Sequence, residues 1–228
     1  MPRPPDLLVV AAFHPELAPL RPHLGDPRDA EAMEGYVGTA LVAARVVGIG
    51  LPMAAVGVAR QVGELRPHAV IAIGTCGAYA GAGLAIGEIV VARRVRLVDP
   101  SVLEGRSQFP EPMRVVSEAD GPMAEGIAHA TGARPVDIAT TLGVTVDDAT
   151  AGRIARATGA DVEHLEAYAM AVACASRGIP FGAVLAVANF VGAGARAEWR
   201  THHREAASHA VDAVIQWLRG RDLRSPPE

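Results

Sequence analysis

Apolar residues along the chain gather in short dense runs as well as in helical stripes. Asp6–Phe13 (DLLVVAAF), Ala69–Ile73 (AVIAI) and Phe181–Ala188 are such runs, with almost no polar alternation. Runs of that length read as strands buried on both faces. The first of them leads into a helix at Pro15, a residue suited to a first helical turn. Glu34–Gly50, through Tyr36–Val47, predicts two adjoining strands. Gly87–Val98 predicts a long strand with Arg93, Arg94 and Arg96 toward one end, and Val136–Val146 predicts another. Helices are predicted at Met53–Leu65 (closed by Arg66-Pro67), Pro122–Thr131, Asp147–Thr158, Glu166–Arg177 (ended by Gly178) and about Arg200–Arg219. Asp99–Glu118 is aperiodic and reads as a surface excursion, and Arg221–Glu228 as a loose tail. Strands alternating with helices predict an α/β protein: a three-layer α/β/α sandwich with a twisted central mixed sheet. With no repeat or linker to divide it, a single domain is expected over residues 1–228. Gly74-Thr75 and Asn189 should lie at neighbouring strand ends.

The 228 residues are 50% hydrophobic and 20% charged, enough for one well-packed core. A formal net charge of −4 leaves no broad cationic face, so no nucleic-acid partner is expected. All 21 basic residues are Arg. The lack of Lys removes the P-loop lysine, the Schiff-base lysine and the lysine general base. Cys76 and Cys174 sit in apolar surroundings with no CxxC, as buried free thiols do in a reducing cytoplasm. No apolar stretch reaches the roughly 18–20 residues of a membrane span. Met1–Phe13 leads into His14-Pro15-Glu16 without a cleavage site, so no signal peptide and no membrane partner are expected.

Several motifs bear on chemistry. Gly48-Ile49-Gly50 after a strand invites a dinucleotide-fold interpretation, in which a helix N-terminus approaches a phosphate. Pro52 and Met53 in the turn argue against it, as does Gly74-Thr75 where a ribose ligand would want an acid. Glu163 and Glu166 lie near a helix start, where a carboxylate is either a capping acid or a site group. Asn189 follows a core strand at the carboxyl end, where α/β proteins bind ligands, and equally suits a loop cap. His202, His203 and His209 lie on the last helix. A solvated face explains them better than a metal site, and no GxSxG elbow is present.

Three segments in order resemble the nucleoside phosphorylase/nucleosidase superfamily: Val47-Gly48-Ile49-Gly50 before an Ala-rich helix, Pro67–Ala78 (PHAVIAIGTCGA), and Gly87-Glu88-Ile89-Val90-Val91. Val162–Ala167 and Leu185–Asn189 are similar to the family's VEMEG and RAISD stretches, so the resemblance spans roughly residues 6–218. Asn189 in place of the usual Asp, followed by Arg196-x-x-Trp199, resembles the futalosine hydrolases within that superfamily. Gly194 and Ala195 depart from the Arg and Asp common there, and His164-Leu165 replaces a small residue and Met. Tyr168 stands where a small residue is common.

The resemblance implies cleavage of the N-glycosidic bond of a small-molecule purine nucleoside in the cytoplasm, with no cofactor and no metal. Its futalosine-like branch implies a hypoxanthine leaving group and a place in menaquinone biosynthesis. Phosphorylases of the superfamily hold phosphate with Arg in the first loop and Arg two residues before the Gly-Thr motif. Here those places hold Ala11–Glu16 and Ala72, which supply no cation for a dianion. Glu16 matches the nucleosidase glutamate that positions a water, and Glu166 would bind the ribose 2′- and 3′-hydroxyls. The Asn189 amide suits N7 and O6 of a 6-oxopurine. Thr75 and Gly77 would line the base pocket, Leu165 joins the substrate-binding set, and Phe13 and Phe190 would flank base or sugar. The alternatives are a phosphorylase with other phosphate ligands, or a catalytically weak nucleoside-binding homologue, which the departures at His164, Gly194 and Ala195 would suit. Few aromatics and many Ala, Val and Met positions predict an apolar surface that needs covering, and family resemblance also implies a homodimer.

Overall fold

A computed structural model describes residues 3–24 and 32–220. Its strands are β1 (Leu7–Ala11), β2 (Ala32–Val37), β3 (Ala40–Val46), β4 (Val70–Ala78), β5 (Ile89–Leu97), β6 (Val116–Glu118), β7 (Arg134–Thr140), β8 (Val162–Glu163) and β9 (Phe181–Phe190). The helices are α1 (His14–Leu17), α2 (Arg21–Leu24), α3 (Leu51–Leu65), α4 (Pro100–Leu103), α5 (Gly121–Thr131), α6 (Asp148–Thr158), α7 (Ala167–Ala175) and α8 (Ala195–Gly220).

The nine described strands form one mixed sheet in the order β2-β3-β1-β4-β8-β7-β5-β6. β9 runs parallel to β4 and antiparallel to β5, so β4, β8, β7, β5 and β9 close on themselves. The dense apolar runs are explained by burial on both faces. Leu8 and Val10 of β1 pack with Val58, Val62, Met170 and Cys174 of α3 and α7. Leu7 and Val9 point the other way, into a core with Ile127 of α5 and Val214 and Trp217 of α8. A strand between two helical layers has no face left for polar side chains. Both cysteines are free and buried, and burial raises both thiols above their ordinary range.

Four boundaries differ from the pattern's expectation. β7 stops at Thr140, and 141–146 is a loop instead of the strand's second half. There the Thr145 amide and hydroxyl are bonded to Glu163 rather than to a neighbouring strand. The last helix begins at Ala195, five residues before Arg200, because Gly194 and Ala195 are already turned into its first turn. Helix α3 starts at Leu51, with Pro52 in the first turn, where its missing N–H costs nothing. The 99–118 excursion is less irregular than expected. Asp99 caps the single turn of α4, and 116–118 adds an edge strand to β5. The proposed tail at 221–228 lies outside the described residues. Among the described residues no helix is long and apolar enough to cross a membrane.

Candidate active site

The carboxyl ends of β4 and β9 lie side by side, with Gly77 opposite Asn189 across a bulge at Cys76/Gly77. Above them is a cavity of about 420 Å³. Two glycines of β4 make room for it. A Cβ on Gly74 would sit 2.6 Å from Glu16 Oε1, and one on Gly77 would sit 2.8 Å from Asn189 Nδ2. Only glycine lets the two polar side chains come this close to the strand.

Glu16, in the single turn of α1, is buried at 5% exposure. Its Oε1 accepts from the Thr75 amide at 3.0 Å and from the Thr75 hydroxyl at 3.2 Å. Its Oε2 has no protein partner among the described residues. Burial pushes the Glu16 carboxyl up to about 8; the neighbouring Glu166 carboxylate adds to the rise and the Thr75 bonds oppose it.

Glu166 stands at the start of α7, yet its carboxylate does not cap that helix. Its Oε1 accepts the backbone N–H of Gly50 at 2.8 Å. The Gly48–Gly50 turn, a phosphate cradle in a dinucleotide fold, thus spends its free amide on a carboxylate. The cap is His164, whose Nδ1 accepts from the amides of Glu166 and Ala167 at 3.2 and 3.1 Å. An Nδ1 that accepts two N–H bonds is unprotonated, so the 3.4 Å approach of Glu166 Oε2 to that nitrogen is no ion pair. Burial holds the imidazole's pKa down, against the pull of Glu166, which agrees with a neutral ring. Nothing in the sequence marked His164 as a cap, since Ser, Asp and Asn are the usual ones.

Glu163 belongs to β8 and not to a helix start. Its carboxylate accepts from the Thr145 amide (3.0 Å), the Thr145 hydroxyl (2.6 Å) and the Tyr79 hydroxyl (3.0 Å). That anchors the 141–146 loop, which brings Val144 and Val146 to the cavity wall. A second cavity, of about 520 Å³, shares those two valines and continues toward Phe109 and Leu51.

Of the residues singled out from sequence, Phe13, Glu16, Thr75, Gly77, Leu165, Glu166 and Asn189 all line the first cavity. Phe190 does not, and is 42% exposed. Side chains alternate along β9, so Asn189 turns inward and Phe190 outward; Val191 takes the inner place. The Asn189 amide donates to the Phe190 carbonyl at 3.0 Å. The 190–194 turn is held by Glu198, which accepts the Phe190 amide at 2.7 Å, and by Asp148, which accepts the Ala193 amide at 2.9 Å. The turn therefore has its own anchors where the resemblance led us to expect Arg and Asp. Ile49, Val144 and Val146 line the cavity without having been singled out as site residues. The exposed Arg196 and Trp199 of the Arg-x-x-Trp motif line it as well, though no role had been assigned to them. His203 and His209 are engaged with Trp199 and with the Gly87 carbonyl.

The chain belongs to the phosphorylase superfamily, whose model matches residues 6–219. Over 213 residues it is 29% identical to the futalosine hydrolase of Thermus thermophilus, covering 89% of this chain and 92% of that one. Among solved structures, it is similar to the S-adenosylhomocysteine nucleosidase of Streptococcus pyogenes in complex with 5-methylthiotubericidin (TM-score 0.85, 22% identity, 98% of this chain and 99% of that one). The futalosine hydrolase of Helicobacter pylori has the same fold (TM-score 0.84, 13% identity, 94% and 97% covered). The expected mixed α/β architecture and the superfamily are both as the sequence motifs implied.

Proposed function

We propose that the chain, acting as one domain, hydrolyses the N-glycosidic bond of a purine nucleoside of futalosine type, releasing a 6-oxopurine. The observation that carries this is Glu16: a buried carboxyl group in the cavity with one oxygen held by Thr75 and the other without a hydrogen-bond partner among the described residues. Beside a phosphate such a group is repulsive, and beside a water it accepts a proton. Water adds to C1′ and gives its proton to Glu16, while the base leaves with the bonding electrons and is protonated from solvent; Glu16 then returns its proton to solvent. Glu166 accepts bonds from the ribose 2′- and 3′-hydroxyls and faces the positive charge that develops on the sugar. The Asn189 amide pairs with N7 and O6, and Thr75, Gly77, Leu165 and Phe13 enclose base and sugar. A 5′-extension has room in the second cavity.

Inosine-, adenosine- and futalosine-like nucleosides, with and without phosphate, test this reading. Free base and free sugar are expected at a rate unaffected by phosphate. A sugar 1-phosphate as main product would overturn it in favour of phosphorolysis, with Arg196 the cation at hand; no turnover of any of these nucleosides would favour a binding homologue. In the same assay Asn189→Asp is expected to shift the kcat/KM ratio toward the 6-amino nucleoside. An unchanged ratio would show that Asn189 does not read the base.

The working form is proposed to be a homodimer. Ile49, Met53 and Val56 are exposed along the start of α3, as are Leu142, Val144 and Val146 on the site loop. Ile49, Val144 and Val146 also line the cavity, so a second copy covering them would help to close the site. Light scattering at tens of micromolar is expected to give twice the chain mass, with Val56→Glu lowering it. A monodisperse monomer of the unaltered chain would sink the proposal.

A further inference from the structure

Trp199 sits in α8, one turn into the helix, and lines the cavity. Its indole N–H donates to Thr75 Oγ1 at 3.1 Å. The Thr75 hydroxyl is in turn 3.2 Å from Glu16 Oε1. His203 stacks on the indole with ring centroids 4.3 Å apart and planes 18° from parallel, and its Nδ1 lies 2.9 Å from the Trp199 carbonyl oxygen. Phe13 leans against the same ring at 6.1 Å and 35°. The indole is thus clamped in one orientation.

The direction of this chain of bonds follows from what each group carries. An indole nitrogen only donates, and a hydroxyl has a single proton. With Trp199 donating into the Thr75 oxygen, the Thr75 proton is left for Glu16. We propose that Trp199 is a positioning residue for the hydrolysis: its N–H fixes the Thr75 hydroxyl as a donor to Glu16 and so favours the ionised carboxylate. An oxygen that already accepts one bond is a better donor and a poorer acceptor, because bonds in a chain polarise one another. Thr75 then stabilises the Glu16 carboxylate rather than accepting a proton from the neutral acid. The inference rests on the assignment of Glu16 as the group that takes the water's proton.

The other titratable groups near the site do not enter this chain of bonds. Glu166, at the start of α7, repels it. Glu163 and His164, before α7, are bonded instead to Thr145, Tyr79 and the α7 amides. Arg196 of α8 and Cys76 of β4 line the cavity, His203 of α8 is stacked on Trp199, and His14 lies on the same turn as Glu16. None of these bridges Trp199 to Glu16; Thr75 does.

The test replaces the indole with its benzothiophene isostere, which keeps the shape and loses the N–H, and adds Trp199→Phe as a second variant. Each is made alone and in a Thr75→Val background. Two quantities are read: the titration of the Glu16 carboxyl by ¹³C NMR, assigned with Glu16→Gln, and the pH profile of kcat/KM with kcat and KM separated. Loss of the N–H is expected to move the Glu16 midpoint upward by roughly half a unit or more. The limb of the kcat/KM profile should move with it, and KM should change little. In Thr75→Val the same replacement should move nothing further, since the relay is already cut. An unmoved NMR midpoint in the isostere overturns the proposal, as does an equal shift without the Thr75 hydroxyl. A moved NMR midpoint with an unmoved activity profile would support the relay and refute the role of Glu16 in turnover.

Discussion

Glu16→Gln is expected to lower kcat/KM by about 10²–10⁴, the range over which a positioned proton acceptor contributes. The unaltered chain should show its own signature first. In the proposed reaction the working form of Glu16 is the carboxylate, and burial holds that carboxyl up at about 8. Below that pH, kcat/KM should fall about tenfold per unit, and the residual activity of Glu16→Gln should lack this limb. Stability should move in the opposite sense. With its pKa raised on folding from 4.5, Glu16 does not affect stability below the unfolded value. From there to about 8 the folded state holds a proton that the unfolded state has released, so the cost of the buried group grows with pH and levels off above 8. That cost is on the order of a few kcal/mol. Glu16→Gln should therefore melt higher than the unaltered chain at pH 8.5 and nearly with it at pH 4.5. Thermal melts at the two pH values, beside the kinetics, check both halves. Retained activity with an unchanged acid limb would remove Glu16 from the chemistry.

Glu166→Gln is expected to cost about 10²–10³ in kcat, more than Asn189→Ala. The Gly50 N–H pins one oxygen of Glu166, so the carboxylate is fixed before substrate arrives. Glutamine keeps an oxygen for that amide and a similar shape, so its loss isolates the charge. In the proposed reaction the charge faces a sugar that becomes cationic with any leaving base, whereas Asn189 meets only the base. Single-turnover rates on one nucleoside at saturation compare the two variants directly. A smaller loss for Glu166→Gln than for Asn189→Ala would reverse the assignment of the dominant electrostatic contact.

Several features were legible in the chain because they are local or nearly so. DLLVVAAF has apolar residues at both parities, which only a strand covered on two faces requires; Leu8 and Val10 in one core and Leu7 and Val9 in the other show it. Gly74-Thr75 and Asn189 end two such strands, and parallel pairing of β4 with β9 sets those ends together. Motif resemblance named the family, and most of the residues it pointed to do meet in one cavity.

What tertiary structure alone decided depends on groups far apart in sequence. Val136–Val146 has strand-like composition throughout, but Glu163 takes the Thr145 amide and turns its second half into cavity wall. Glu166 looks like a capping acid by position, yet Gly50, 116 residues away, claims its carboxylate and leaves the cap to His164. Phe190 and Val191 differ by one place, and the pleat of β9 decides which of them faces inward. Trp199 reaches Thr75 across 124 positions. The periodicity of a segment states which faces are apolar, while a hydrogen bond between two distant segments depends on where the whole sheet places them. The sequence therefore determined the layers and the family, and the packed sheet decided which carboxylate is held and which is left open.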